Sequence, residues 1–263
     1  MFHLFQRGRY LITDKSFQTY PYDIILIAGQ SNAEGYGRGD RDFQFVPHDP
    51  IYGCTENKGI HLACDKKYGR RRTSASFCLY FGEEYVKAGL LNPGRKLMLL
   101  NTAVGGTGFS DHHWGVGEDL FERMIRRARE VLALNPENEI KAFLWHQGET
   151  DVISGMSGTS YAGLLDTLIS ETQNRLNIAH VPFIAGNMVP GWMKLNPGAY
   201  EIAASTRKLM ESLPLGGYAE SDGLVANSAE DNIHFSRKSC VELGRRYFQI
   251  YLDRAATHSK ESF

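Results

Sequence analysis

Two kinds of apolar spacing alternate along the chain. Short apolar runs closed by glycine or polar turns read as strands, and longer stretches with apolar residues three and four apart read as helices. Residues 23–28 form a short apolar run ending at Gly29, the pattern of a strand buried on both faces. Further strands are predicted over 96–103, 140–145 and 181–187, with a short fifth within 217–226. Helical spacing covers 77–90, which Asn92-Pro-Gly94 stops. A second helix is predicted over 118–134, where Leu120, Phe121, Met124, Ile125, Ala128, Val131 and Leu132 make one apolar face. Others are predicted over 161–176, capped by Ser160 or Thr159, over 199–213, and over 236–252 with Ser236 as the cap. Residues 35–72, rich in glycine, proline and charge, read as a long irregular excursion that shapes the rim of a site.

Strand–helix alternation of this kind predicts an α/β fold with a parallel sheet covered on both faces. No repeat or linker interrupts it, so residues 1–263 are read as one domain, with 1–20 as an N-terminal extension. Ligands of such sheets bind beyond the carboxyl ends of the strands. Ser31, Gly106 and Gln147 each follow a predicted strand, so all three are expected on that edge.

Composition narrows the function classes. A formal net charge of -1 gives no field that would draw the chain to nucleic acid or an anionic membrane. The basic run from Lys66 to Arg72 reads as a solvated loop. No apolar stretch of about 18 residues suggests a membrane span, and the first residues, interrupted by Gln6, Arg7 and Arg9, make a poor signal peptide. Four cysteines without framework spacing fit a reducing cytoplasm, Cys78 and Cys240 as small core residues. His48, Cys54, His61 and Cys64 lack the spacing of a zinc site, and no metal is expected. Residues 35–40 lack the strand–helix setting of a dinucleotide loop. His112 and His113 read as exposed loop residues.

The chemistry centres on Ser31, presented on a turn after the first strand. A serine hydroxyl needs a base, an acid to orient that base, and donors for an oxyanion. His234 supplies the base. Asp231, three residues earlier, can fold back onto its far ring nitrogen; Glu149 and then Asp151 are the other candidate acids. The N–H groups of Ser31 and Gly106 and the amide of Gln147 are candidate oxyanion donors, with Gly105 allowing close approach. Trp114 and Trp192 fall near strand ends, where an aromatic face can stack on a sugar or simply pack against the sheet.

Gly29-Gln-Ser-Asn32, Gly105-Gly-Thr107, His146-Gln-Gly-Glu149 and Asp231-x-x-His234-Phe235 together resemble the blocks of the SGNH hydrolase superfamily. The branch that looks nearest is that of sialate O-acetylesterases and carbohydrate acetylesterases, including acetylxylan esterases. The resemblance implies a three-layer α/β/α sandwich with a parallel, flavodoxin-like sheet and no cofactor. It implies a serine esterase that removes O-acetyl groups from a sugar of xylo-oligosaccharide or sialic acid type, with Ser31 as nucleophile and His234 as base. Gly106 and Gln147 would complete the oxyanion hole, Gln147 standing where the superfamily usually has asparagine. Asp231 is favoured as the acid over Glu149, which is then an auxiliary acid or an anchor. Gln30, Asn32, Gly105, Thr107 and Trp114 are expected to line the substrate. The partner is a small acetylated saccharide, with no nucleic acid or membrane, and the sequence leaves room for a homo-oligomer. Two rivals stand: a hydrolase of another short acyl ester or thioester, and a catalytically silent sugar-binding protein on the same fold.

Overall fold

The computed structural model describes residues 20–39, 41–55, 59–68 and 72–261. Most of the expected N-terminal extension therefore lies outside the described residues. In chain order the strands are β1 (Tyr22–Gly29), β2 (Ile51–Thr55), β3 (Gly59–Leu62), β4 (Lys66–Tyr68), β5 (Arg72–Ser74), β6 (Lys96–Asn101), β7 (Glu139–His146), β8 (Phe183–Gly186) and β9 (Gly216–Ala219). The helices are α1 (Ser31–Glu34), α2 (Phe77–Lys87), α3 (Asp119–Leu132), α4 (Glu149–Ile153), α5 (Gly158–Leu176), α6 (Pro190–Leu195), α7 (Gly198–Ser212) and α8 (Arg237–Glu261).

All eight residues of β1 are buried, because the strand lies mid-sheet under helices on both faces. The main sheet has the order β3-β2-β6-β1-β7-β8-β9. From β2 to β9 every neighbouring pair is parallel, and β3 alone runs antiparallel, on the edge. The five strands from β6 to β9, numbered along the chain, give the flavodoxin-like order 2-1-3-4-5, whose switch point lies between β1 and β7. The helices divide between the faces. A side chain at Gly216 would strike the Met210 carbonyl of α7, and one at Gly217 would strike Ile250 of α8. Neighbouring strand residues point to opposite faces, so α7 and α8 cover opposite sides. Helix α2 packs on α8, and α5 packs between α3 and α7. The fold is thus a three-layer α/β/α sandwich.

The structure corrects several expectations. Residues 35–72 are not wholly irregular, since β2 and β3 extend the main sheet and β4 begins a small hairpin with β5. These strands are short and carry Gly53, Cys54, Gly59 and His61, so their own sequence has little strand character. The excursion is tied to the start of α8. Buried Arg237 forms an ion pair with buried Asp65 and donates to the Thr73 carbonyl at 2.8 Å, while its N–H reaches the Arg38 carbonyl at 2.7 Å. Helix α5 starts earlier than predicted, with Ser157 rather than Ser160 or Thr159 as its cap. Ser236 caps α8 as expected, accepting from Ser239 N–H at 3.2 Å, but that helix runs on to Glu261.

Candidate active site

The turn that carries Ser31 exists because β1 and β7 approach closely at their ends. Gly29 sits at φ +123°, and a Cβ there would lie 2.1 Å from the His146 carbonyl oxygen. Only glycine fits both conditions. The Gln30 N–H then donates to that same carbonyl at 2.9 Å, and Ser31 opens α1. Gly105, after β6, lies against this turn: a Cβ on it would stand 3.4 Å from Ser31 Cβ and 3.1 Å from the Tyr36 hydroxyl. The Gly105 N–H donates to Glu34 Oε2 at 2.7 Å, fixing the glycine loop to α1. Glu34 Oε1 pairs with Lys66. Neither the Ser31 N–H nor the Gly106 N–H has an acceptor among the described residues.

His234 reaches the same place from the far end of the chain. Its Nδ1 lies 2.5 Å from Asp231 Oδ1. A carboxylate only accepts, so Nδ1 carries a hydrogen, and in the neutral ring the lone pair is then on Nε2. Asp231 is itself oriented, because Asn227 donates to its Oδ2 at 2.8 Å and Arg38 stands 3.6 Å away. The Asn227 N–H also donates to the His234 carbonyl at 2.9 Å. The imidazole stacks on Tyr36, with ring centres 4.9 Å apart. Asn32, next to Ser31, holds the backbone on either side of the histidine. It donates to the Ile233 carbonyl and accepts from the Phe235 N–H, both at 3.0 Å.

The end of β7 supplies a buried polar layer. The Gln147 amide faces three acceptors: Asp151 Oδ2 at 2.7 Å, Gln30 Oε1 at 3.1 Å and the Thr107 carbonyl at 3.2 Å. Asp151 also accepts from the N–H groups of Ser110 at 2.7 Å and Phe109 at 3.2 Å, which sets the course of the loop carrying Gly106. Glu149 is fully buried and accepts from Asn32 at 2.7 Å. Its other oxygen has no partner among the described residues, and burial pushes the carboxyl up to about 7. Beneath it, the single Tyr247 hydrogen goes to the Trp145 carbonyl at 2.8 Å, so His146 Nδ1 donates to the Tyr247 oxygen at 3.0 Å. Burial holds His146 down at about 3, a neutral imidazole of the core.

Ser31, Gly106, Gln147, Asp231 and His234 thus come to one sheet edge. Glu149 bonds to Asn32, and Asp231 bonds to His234. The residues expected to line substrate are placed differently. Trp114 is fully buried, packed edge-on against Trp145 at 5.2 Å, with its N–H on Thr107 Oγ1 at 2.9 Å. Its ring is core and presents no face to a sugar, and Trp192 is buried as well. Gln30, Asn32 and Thr107 are buried with their side chains bonded inside the protein, and the Gly105 N–H is held by Glu34. Tyr36 and Asn227 were not singled out by sequence; a lone tyrosine in a glycine-rich loop and an asparagine four residues before Asp231 are weak signals. A cavity of about 410 Å³ lies between β2, β6 and α3, lined by Cys54, His61, Arg123 and Arg127 and, toward the Ser31 turn, by Glu34 and Lys66; Ser31 and His234 are not in its lining. Among the described residues, no cluster of three or more His, Cys, Asp and Glu is arranged to hold a metal, and no helix is long and apolar enough to cross a membrane.

Comparison with known proteins identifies the family. The family model described as carbohydrate esterase, sialic acid-specific acetylesterase, matches residues 21–253. A probable carbohydrate esterase of Arabidopsis thaliana is 27% identical over 252 residues, covering 88% of this chain and 91% of that protein. A probable 9-O-acetyl-N-acetylneuraminic acid deacetylase of Escherichia coli is 21% identical over 234 residues, covering 68% of this chain and 71% of that protein. The crystal structure of NanS superposes with a TM-score of 0.75 at 17% identity, over 89% of this chain and 97% of that one. The chain therefore belongs to the sialic acid-specific acetylesterase family of carbohydrate esterases, carboxylic ester hydrolases that deacetylate carbohydrate, on an SGNH-hydrolase-like fold.

Proposed function

We propose that the chain removes an O-acetyl group from a sugar of sialic acid type through an acetyl-serine intermediate on Ser31. The observation that carries this reading is the Asp231–His234 pair, with the backbone on both sides of His234 held by Asn32, the residue beside Ser31. In this mechanism Ser31 Oγ attacks the acetyl carbonyl as its proton passes to His234 Nε2. Asp231 holds the ring and stabilises the imidazolium. The oxyanion accepts from the N–H groups of Ser31 and Gly106. Gln147 is the third donor when one of its hydrogens turns from Gln30 or Thr107 to the ester oxygen. Collapse of the tetrahedral intermediate breaks the bond to the sugar oxygen, which takes the proton from His234. Water, deprotonated by His234, then attacks acetyl-Ser31; collapse breaks the bond to Ser31 Oγ, which takes the proton back from His234 as acetate leaves.

The family's description and the name of the Escherichia coli relative favour a sialic acid over a xylo-oligosaccharide. The free thiols of Cys54, Cys64, Cys78 and Cys240 support a reducing compartment such as the cytoplasm. The test is a rate series over acetyl, butyryl and octanoyl esters, combined with fluorophosphonate labelling mapped to a peptide. The expected result is a sharp preference for acetyl and a label on Ser31. Equal rates across chain length would move the substrate to another acyl class, and a protein that hydrolyses esters without labelling at Ser31 would remove the mechanism.

A further inference from the structure

Asn32 is bonded on three sides by groups from two distant parts of the chain. One amide hydrogen goes to the Ile233 carbonyl at 3.0 Å and the other to Glu149 Oε1 at 2.7 Å, while its oxygen accepts from the Phe235 N–H at 3.0 Å. Both hydrogens and one lone pair of the amide are engaged, so the group is satisfied in a buried setting. The two backbone partners flank His234. The residue next to the nucleophile therefore grips the base loop on both sides of the base.

Orientation matters to this grip. Turned by 180° about its last torsion, the amide would set its NH2 against the Phe235 N–H and its oxygen against the Ile233 carbonyl and Glu149. The two backbone contacts would become repulsive, and Glu149 Oε1 would lose its donor. Glu149 is the third partner of the amide, and it is in reach because α4 begins just after β7, past Gln147 and Gly148. The second Glu149 oxygen has no partner among the described residues, and Asn32 is the side chain that donates to the first. Burial, which favours the neutral acid near neutral pH, is tolerated there.

We propose that Asn32 and Glu149 form a buried positioning pair that sets His234 against Ser31. This rests on the serine mechanism given above and assigns Asn32 and Glu149 a role in the placement of the base, with neither touching substrate. The same network accounts for a carboxylate on the active edge that stands away from the imidazole: Glu149 acts through Asn32, and Asp231 is the carboxylate bonded to the ring.

The experiment compares wild type with Asn32→Ala, Asn32→Asp, Glu149→Leu and Glu149→Gln. Active sites are counted by fluorophosphonate titration, and kcat, KM, the rate of Ser31 labelling and Tm are measured for each. Misplacement of a catalytic group by about 1 Å costs on the order of 100-fold in rate. Asn32→Ala and Asn32→Asp are expected to lower kcat per titrated site by about 30- to 300-fold with KM within about threefold, and to slow Ser31 labelling in the same proportion. Glu149→Leu, which removes the acceptor, is expected to lower kcat about tenfold or more, and Glu149→Gln, which keeps an acceptor for Asn32, recovers most of that loss. A purely structural role would lower Tm and leave kcat per titrated site and the labelling rate unchanged, which overturns the proposal. Failure of Glu149→Gln to recover activity relative to Glu149→Leu also overturns it. Should the Asn32 variants fail to fold, the Glu149 pair decides by the same criteria. A wild type whose turnover does not need Ser31 removes the underlying mechanism instead, so the two failures are distinct.

Discussion

Replacing Glu149 by glutamine isolates the energetics of one buried carboxyl. In the fold, burial raises this group from an ordinary 4.5 to about 7. Between those values the native state holds a proton that the unfolded chain has released, so stability falls as pH rises. The stabilising contribution of the neutral acid is complete below about 4.5 and is lost as pH climbs through about 7. The total is roughly 3 kcal/mol, at about 1.4 kcal/mol for each pH unit between the two values. His146 works in the opposite direction. Burial lowers it from 6.5 to about 3, so its contribution is complete above 6.5 and is lost as pH falls. From about 4.5 to 6.5 the two slopes oppose each other and nearly cancel in the wild type. Glu149→Gln removes one of them. Urea unfolding followed by circular dichroism, from about pH 4 to pH 8, gives the difference in unfolding free energy between variant and wild type. That difference should rise toward the variant by roughly 3 kcal/mol across the range. The pH-independent cost of an unpaired glutamine amide drops out of the slope. A flat difference would mean that Glu149 ionises at its ordinary pH inside the fold, and would refute the account of a neutral buried acid bonded to Asn32.

Four other outcomes are expected. Asp231→Asn should lower kcat by more than Glu149→Gln does, measured on the same acetyl ester; the reverse order would move the acid role to Glu149. Gly29→Ala should fail to fold or lose several kcal/mol in chemical denaturation, since its Cβ would lie 2.1 Å from the His146 carbonyl; a variant of wild-type stability would contradict the turn geometry. Tyr247→Phe strips the partner from both the Trp145 carbonyl and His146 Nδ1, and should cost about 2–5 kcal/mol in the same assay. Asn227→Ala frees one oxygen of Asp231 and should lower kcat with little change in KM, which steady-state kinetics will show.

Ser31, Gly106 and Gln147 were legible because each follows an apolar run closed by a turn, and strand ends converge in a parallel sheet. Asp231 and His234 were legible as a pair because three residues suffice for a turn that closes them. Strands β2 and β3 were not: their short glycine-containing segments are strands only because β6 offers an open edge to pair with. The reading of Trp114 as a substrate face failed on burial, since sequence places a tryptophan near a strand end without saying which way it points. Tyr36 joins His234 across 198 residues of chain, a contact that only the folded excursion creates, while Asn227 reaches Asp231 within a local turn whose side-chain pairing the sequence does not mark. Asn32 sat inside the most visible motif, yet its partners at 149, 233 and 235 could not be read from it.

The most direct measurement is acetate release from a panel of acetylated saccharides, including acetylated sialic acids, xylo-oligosaccharides and acetyl-glucose, by wild type and Ser31→Ala. The account predicts release from an acetylated sialic acid by the wild type and none by the variant. Equal release by Ser31→Ala would contradict the serine mechanism, and no release from any acetylated sugar would contradict the substrate class.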